Sequence, residues 1–374
     1  MSFATLALVS AVALAGPLLA LPRGWHLPVL LGELVAGVLL GQTGVLDAGE
    51  PTFAFLANLG FALVMFVAGT HVPVRDARVG SSVGVGVARA AAVGALSVPV
   101  AFGISSAFGT GHTALYAVLL ASSSAALVLP VVDSLGLAGP PVLRMVAQVA
   151  VADAVCVVAL PLVIDPAHAG RAAVGAVAVV GASVALFFGL RYIERSGLRR
   201  RVHRVSEKRQ FAIEMRVSLI VLFALAALAV ATHVSIVLAG FCFGLAVAAV
   251  GEPRRLARQL FALTEGFLGP VFFVWLGASI DLSGVGRRPS YLLLGLALGL
   301  GAVIVHALMR VAGQPLSLGG LAAAQLGVPV AAVTVGEQLH VMRPGESAAI
   351  ILAALLTIGV AIAGGSAAAR RSPP

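Results

Sequence analysis

The chain has 374 residues, 60% hydrophobic and 10% charged, with a mean hydropathy of +1.07 and a formal net charge of +9. Soluble domains carry about 25% charged residues, so this composition excludes a soluble enzyme and places nearly all of the chain in a membrane. The basic residues sit in short loops between apolar segments, where they act as topology signals and not as a nucleic-acid surface.

Thirteen apolar segments follow one another: 3–20, 27–43, 52–70, 83–107, 113–133, 142–163, 172–191, 212–231, 234–250, 260–280, 290–310, 317–339 and 346–366. Each is read as a membrane helix, which makes the chain an all-α membrane protein. Segment 3–20 lacks a charged region ahead of its apolar run, so it reads as a retained helix and not as a cleaved signal peptide. The one long loop, 191–211, is strongly basic and is therefore placed in the cytoplasm. That assignment puts 20 of the 24 Lys and Arg residues on the cytoplasmic side, leaving Arg171, Arg287, Arg288 and Arg343 outside. The expected topology is thirteen helices in the cell membrane, N-terminus out and C-terminus in. Cys156 and Cys242 fall inside apolar segments, a pattern for neither a disulfide nor zinc, and they read as packing residues.

The sixth segment, VLRMVAQVAVADAVCVVALPLV, carries Asp153 about halfway along. A carboxylate at the bilayer midplane costs roughly 3 kcal/mol on insertion scales, so such a residue calls for a function. Held out of water, it is a site where a proton and a monovalent cation compete for the same oxygens. The alternative is a permanently neutral acid hydrogen-bonded to a serine or to Gln148.

Two other segments read as broken helices. The fifth, ALYAVLLASSSAALVLPVVDSL, has Ser122, Ser123 and Ser124 at mid-membrane and then Pro130; the twelfth, LGGLAAAQLGVPVAAVTVGEQL, has Gln325, Gly327 and Pro329 at its middle. Proline removes a backbone donor and crowds the preceding turn. Unwound backbone at that depth persists only where it lines a cavity or is buried in protein. Simple kinks, with the serines bonded back to carbonyls, are the alternative.

The chain also repeats itself weakly. GELVAGVLLG in the second segment matches VLAGFCFGLA in the ninth, through Gly37 and Gly240. LANLGFALVMFVAGTHV in the third matches LTEGFLGPVFFVWLGASIDL in the tenth, through Gly69 and Gly277. An offset of seven helices inverts the second copy. The domain reading is therefore one transmembrane transporter domain over 1–374: a first half about 1–163, a linking helix 172–191, the loop 191–211, an inverted second half 212–366, and no soluble regulatory domain. Inverted repeats with broken helices in equivalent places mark secondary transporters with a midplane site.

Taken together, GELVAGVLLGQTGVL, LGFALVMFVAGTHV, SSSAALVLPV, ADAV and PVFFVWLGASIDL, in this order and spacing, resemble the monovalent cation:proton antiporter superfamily, sodium/hydrogen exchanger-like, in the branch that includes potassium efflux antiporters. The resemblance covers segments 2 to 13. It implies a sodium/proton antiporter-like fold, with a core bundle of segments 4–6 and 11–13 whose broken helices cross. It also implies a panel of segments 1–3 and 8–10 through which such proteins usually form homodimers. It maps the essential membrane acid onto Asp153 and the hydroxyl cluster onto Ser122, Ser123 and Ser124. The chain departs from the pattern in three ways. Ala152 stands where many members have a second acid or an amide. Its one lysine, Lys208, is in the loop, so His306, toward the cytoplasmic end of segment 11, is the nearest substitute for a mid-membrane basic residue. The nucleotide-sensing domain of the gated members is missing.

Glu33 opens the GELVAG motif and is a candidate mouth or gate residue, with a solvated capping role as the alternative. Gln148, His306, Glu33 and Gln325 are thus the accessory candidates around Asp153. His306 is read as a helix-end residue meeting headgroup water, with a pH-sensing role as the alternative. Glu265 and Glu214 suit helix starts, Glu337 and Asp133 are expected in solvent, and Arg310 and Arg89 are expected to snorkel to the interface. No cofactor motif is present. The expected function is proton-coupled antiport of sodium or potassium by alternating access, exchanging one for one. A proton-coupled organic-solute transporter, a cation channel or a non-transporting sensor on the same scaffold are the alternatives.

Overall fold

The computed structural model describes the whole chain except Met1, 22–28, 73–81, 197–212, 233, 252–259, 281–288 and 371–374. The basic loop from 197 onward therefore lies outside the described residues, as do Arg23, Arg75, Arg78, Arg254, Arg255, Arg258, Arg287, Arg288, Arg371 and the side chain of Glu214. Among the described residues ten helical stretches are long and apolar enough to cross a membrane, and three shorter apolar helices accompany them. These thirteen coincide in order with the thirteen apolar segments of the sequence.

The helices pack into two compact units, and both halves of the sequence contribute to each. Unit 1 comprises residues 1–71 and 170–280. It holds α1 (Phe3–Ala13), α2 (Ala15–Ala20), α3 (Val29–Gln42), α4 (Pro51–Thr70), α9 (Ala169–Arg195), α10 (Ile213–Ala231), α11 (Ile236–Val250) and α12 (Gly269–Ser279). Unit 2 comprises residues 72–169 and 281–374. It holds α5 (Val83–Phe108), α6 (Thr113–Ala121), α7 (Ala125–Ser134), α8 (Pro140–Ile164), α13 (Ser290–Ala307), α14 (Leu316–Ala322), α15 (Gly327–Gln338) and α16 (Glu346–Ala369).

Local sequence explains the element ends. Glu50 caps α4 by accepting the Phe53 N–H at 2.7 Å, and Pro51 follows at the first helical position, where no donor is needed. Ahead of α12 the chain forms a π turn over Thr264–Leu268. Pro270, which lacks an N–H and crowds the preceding turn, accounts for that irregularity.

Unit 1 is assembled through glycines. A Cβ on Gly37 of α3 would stand 2.2 Å from the Val274 carbonyl of α12, and one on Gly277 of α12 would stand 2.2 Å from the Leu34 carbonyl of α3. The α4–α11 pair does the same: Gly69 faces the Phe241 carbonyl at 2.3 Å and Gly240 the Ala62 carbonyl at 2.3 Å. Both pairs are therefore locked by reciprocal glycine-on-carbonyl contacts, as close helix approach in a membrane requires. Phe61 and Phe272 stack at 4.4 Å between their ring centroids and fill the space beside these seams.

In unit 2, α5 meets α8 where Gly86 abuts Ala147 and the Gln148 backbone. The core there is built from Val128, Met145, Val149, Leu321 and Ala322, which come from α7, α8 and α14. Arg89 is not at an interface. It is 4% exposed and donates from Nη2 to the Ala312 carbonyl at 2.8 Å, capping the short 3-10 turn that ends α13. That contact with a helix C-terminus replaces the expected headgroup water. Arg310, Glu265, Glu337 and Asp133 are exposed, although Glu337 accepts a hydrogen bond from Ser347.

Candidate functional site

The two broken helices of unit 2 cross at their breaks. Ser122 and Ser124 are extended, which ends α6 and starts α7; α14 and α15 are separated by residues 323–326. The prolines do not make the breaks. Pro130 lies within α7, and Pro329 lies in the first turn of α15, where its missing N–H has no helical partner to lose. Simple kinks do not describe these segments, because three or four residues leave the helix altogether.

Each break caps the other. Ser123, 1% exposed, donates its hydroxyl to the Ala322 carbonyl at the end of α14, at 2.7 Å. Gln325, 3% exposed, donates from Nε2 to the Leu119 and Ser122 carbonyls at the end of α6, at 2.7 and 3.2 Å. The last carbonyls of a helix have no partner of their own. Buried in a membrane they must find one, and here each half-helix finds it on the opposite break. Ser122 bonds back to the Leu119 carbonyl at 2.8 Å. Ser124 gives its own carbonyl to the Val128 N–H at 3.0 Å as the N-cap of α7.

Asp153 lies just past the middle of the 25-residue α8 and is 3% exposed. Its Oδ2 accepts the Ala125 N–H at 2.9 Å, so the carboxylate sits on the N-terminus of α7. The orphan amides and the dipole of a helix start favour negative charge there. Among the described residues no donor reaches the other carboxylate oxygen. The structure thus brings Asp153 to the Ser122–Ser124 break, with Gln325 on the far side of the crossing.

His306 also belongs to this cluster. It is in the last turn of α13 but fully buried, with no edge toward headgroup water. Its Nε2 lies 3.2 Å from Ser123 Oγ, and its Nδ1 lies 2.9 Å from the Ala302 carbonyl. The helix-end reading of His306 is therefore corrected. The next segment packs Gly319 against the His306 backbone carbonyl, while the ring itself is held between Ser123 and the Ala302 carbonyl.

Gln148 is fully buried on α8, and neither its amide oxygen nor its nitrogen has a hydrogen-bond partner. Its backbone N lies at the α5 contact beside Gly86, and its side chain is not bonded to Asp153. Glu33 belongs to unit 1 and is 4% exposed within α3, beside Gly16. Burial there rules out the solvated capping role.

One residue of the crossing was not among the sequence candidates. Thr357 on α16, 204 residues after Asp153, is 0% exposed and accepts the Gln325 N–H at 3.2 Å. It does for the second break what Asp153 does for the first, with a hydroxyl in place of a carboxylate. The repeat spacing was the signal that could have found it.

Known proteins match this arrangement. A family model described as sodium/hydrogen exchanger, transmembrane, matches residues 8–367. A curated relative, "Putative Na(+)/H(+) antiporter YjbQ" of Bacillus subtilis (strain 168), is 24% identical over 381 residues; the match covers 95% of this chain and 61% of the relative, so the chain spans about three fifths of that protein. The fold is similar to that of the sodium proton antiporter MjNhaP1 from Methanocaldococcus jannaschii at pH 8, with a TM-score of 0.70 at 14% identity, covering 98% of this chain and 97% of that one. An electron-microscopy structure of the same archaeal protein superposes with a TM-score of 0.68 at 14% identity over the full length of both chains. The thirteen apolar helices, the crossed breaks and the match over nearly the whole sequence lead to one conclusion: the chain belongs to the transmembrane sodium/hydrogen exchanger family, a family of membrane transporters and not of enzymes.

Proposed function

We propose that the protein is a proton-coupled monovalent cation antiporter working by alternating access, with Asp153 carrying either a proton or a sodium or potassium ion. The observation that carries this reading is the position of Asp153. It is a buried carboxylate with one oxygen fixed by the Ala125 N–H and the other unbonded among the described residues, beside the unwound Ser122–Ser124 backbone. An unwound segment supplies hydroxyl and carbonyl oxygens of the kind that replace an ion's hydration shell, and Asp153 supplies the charge.

A single carboxylate holds either one proton or one monovalent cation. Ala152 offers no second acid, and Thr357, which holds the second break, is neutral. Exchange is therefore one for one and electrically silent, provided that His306 and Glu33 keep their protonation through the cycle. Family membership and the name of the Bacillus relative support sodium as cargo, while the sequence likeness to potassium efflux antiporters keeps potassium in the reading. The distribution of basic residues supports an N-terminus outside and a C-terminus inside the cell membrane, and the resemblance supports a homodimer.

The test is flux in proteoliposomes, followed with a trapped pH dye and a panel of alkali cations. The membrane potential is clamped at zero and then at about 100 mV of either sign, where one moving charge is worth about 2.3 kcal/mol. Cation-driven proton movement that ignores the potential is the expected result. No proton movement with any alkali cation refutes antiport, and a rate that follows the potential refutes the one-for-one exchange.

A further inference from the structure

Unit 2 contains a second buried acid, remote along the chain from Asp153. Glu346 opens α16, and its side chain is 0% exposed. Its Oε1 is approached at 2.6 Å by the Tyr116 hydroxyl and at 2.6 Å by Nδ1 of His112. Its Oε2 accepts the Arg343 backbone N–H at 3.0 Å. Tyr116 is fully buried, whereas His112 is 25% exposed and is the N-cap of α6. The cluster joins the first turn of α6 to the first turn of α16, and α6 is the half-helix that ends at the Ser122–Ser124 break.

A carboxylate buried this completely is costly unless a positive charge accompanies it. Among the described residues His112 is the one ionisable base bonded to Glu346, since Arg343 contributes its backbone and its side chain is exposed. The other titratable groups on the surrounding elements cannot supply the charge. Tyr116 on α6 and Tyr291 on α13 are phenols, which carry no positive charge in either protonation state. Glu337 at the end of α15 is acidic and is bonded by Ser347, the neighbour of Glu346. His340, in the connection from α15 to α16, is exposed. One proton, shared between His112 and Glu346 across their 2.6 Å contact, therefore decides whether the buried charge is compensated.

We propose that His112, Glu346 and Tyr116 form a second proton-binding site, separate from Asp153, whose occupancy fastens α6 to α16. With the proton bound, an imidazolium donates to a carboxylate, the strong charge-assisted form of the bond. When the proton leaves for water through the exposed edge of the ring, the neutral ring can still donate from Nδ1. The carboxylate is then a buried anion held by neutral donors alone, and the contact weakens. The site is therefore fastened while the proton is held and loosens when a rise in pH removes it. Because α6 leads directly to Ser122, this adds a pH response to exchange beyond that of the transport carboxylate.

Hydrogen–deuterium exchange of the Thr113–Ala121 segment, in the full chain in detergent, tests the proposal without requiring transport. It therefore succeeds or fails independently of the antiport reading. Exchange is compared across a series from about pH 5.5 to about pH 9.5, after correction for the intrinsic pH dependence of amide exchange. The wild type is expected to exchange several-fold faster at the top of the series than at the bottom, and Glu346→Gln and His112→Gln are each expected to flatten that difference. His112→Gln changes a part-exposed cap and keeps the test available if Glu346→Gln does not fold. A wild-type segment with equal corrected rates throughout the series overturns the proposal, as does a pH difference that survives intact in His112→Gln.

Discussion

Nε2 of His306 lies 3.2 Å from the hydroxyl oxygen of Ser123, and that same hydroxyl lies 2.7 Å from the Ala322 carbonyl. Serine has one hydrogen to give. With Nδ1 of His306 engaged by the Ala302 carbonyl at 2.9 Å, a neutral ring presents Nε2 as an acceptor. Ring and carbonyl then compete for the Ser123 hydrogen. Ser123→Ala and His306→Gln should therefore disturb one network. In a double-mutant cycle on exchange rate the double variant should be no worse than the worse single, with a coupling of roughly 1 kcal/mol. Strictly additive losses would separate His306 from the break.

Asp153→Asn should reduce cation-driven proton movement to background while the protein remains folded. An asparagine oxygen can still accept the Ala125 N–H that holds Asp153 at 2.9 Å, but the amide cannot carry a proton. Normal size-exclusion behaviour and thermal unfolding, together with lost flux, are the expected readings. Flux near the wild-type rate would remove Asp153 from the mechanism.

Gln325→Leu should destabilise the fold more than it alters any surface property. It leaves the buried Ser122 carbonyl, now 3.2 Å from the amide nitrogen, without that donor, and takes one donor from the Leu119 carbonyl, which keeps the Ser122 hydroxyl. Each buried polar group left unpaired costs about 1–3 kcal/mol. The check is the thermal unfolding midpoint in detergent, with Gln325→Glu as a companion that keeps the size but removes the donor. An unchanged midpoint in both would mean that water or a shifted backbone satisfies those carbonyls.

Gly37→Ala and Gly277→Ala should each prevent α3 and α12 from closing, since the added methyl carbon would lie 2.2 Å from a carbonyl. Overpacking of this kind costs about 1–3 kcal/mol or more. Gly94→Ala, on α5 with nothing within 4 Å of the added carbon, is the control and should be neutral. The yield of monodisperse protein and its unfolding midpoint distinguish them.

Much of this architecture was legible because a membrane helix leaves a long, plain signal. Thirteen apolar runs and thirteen apolar helices agree in order, and the glycines that suggested the repeat (Gly37, Gly69, Gly240 and Gly277) prove to be seam residues of one kind. The breaks were placed by serines and prolines together, and only the serines mark one. A proline in the first turn of α15 costs nothing, and spacing alone does not separate that case from a disrupted helix interior. His306 was misread because its distance from the helix end was taken as distance from water. Its ring meets Ser123, 183 residues away in the chain, a tertiary contact with no local trace. Arg89 was misjudged in the same way, its partner being a carbonyl 223 residues away. Glu346 and His112, 234 residues apart, also carry no local signature of their pairing.

Asp153 and Thr357 hold the two breaks in the same manner, one through a carboxylate and the other through a hydroxyl. As backbone, a chain built from two inverted copies does not distinguish the two faces of a membrane. If its side chains matched as well, the two access states of the proposed cycle would be related by a two-fold axis in the membrane plane and equal in energy. An acid in one copy facing an alcohol in the other removes that equivalence. In the proposed cycle the inward-open and outward-open forms would then differ in free energy. The gradients would still set the direction of the proposed exchange, and this pair of unequal residues would make its rate differ between the two directions.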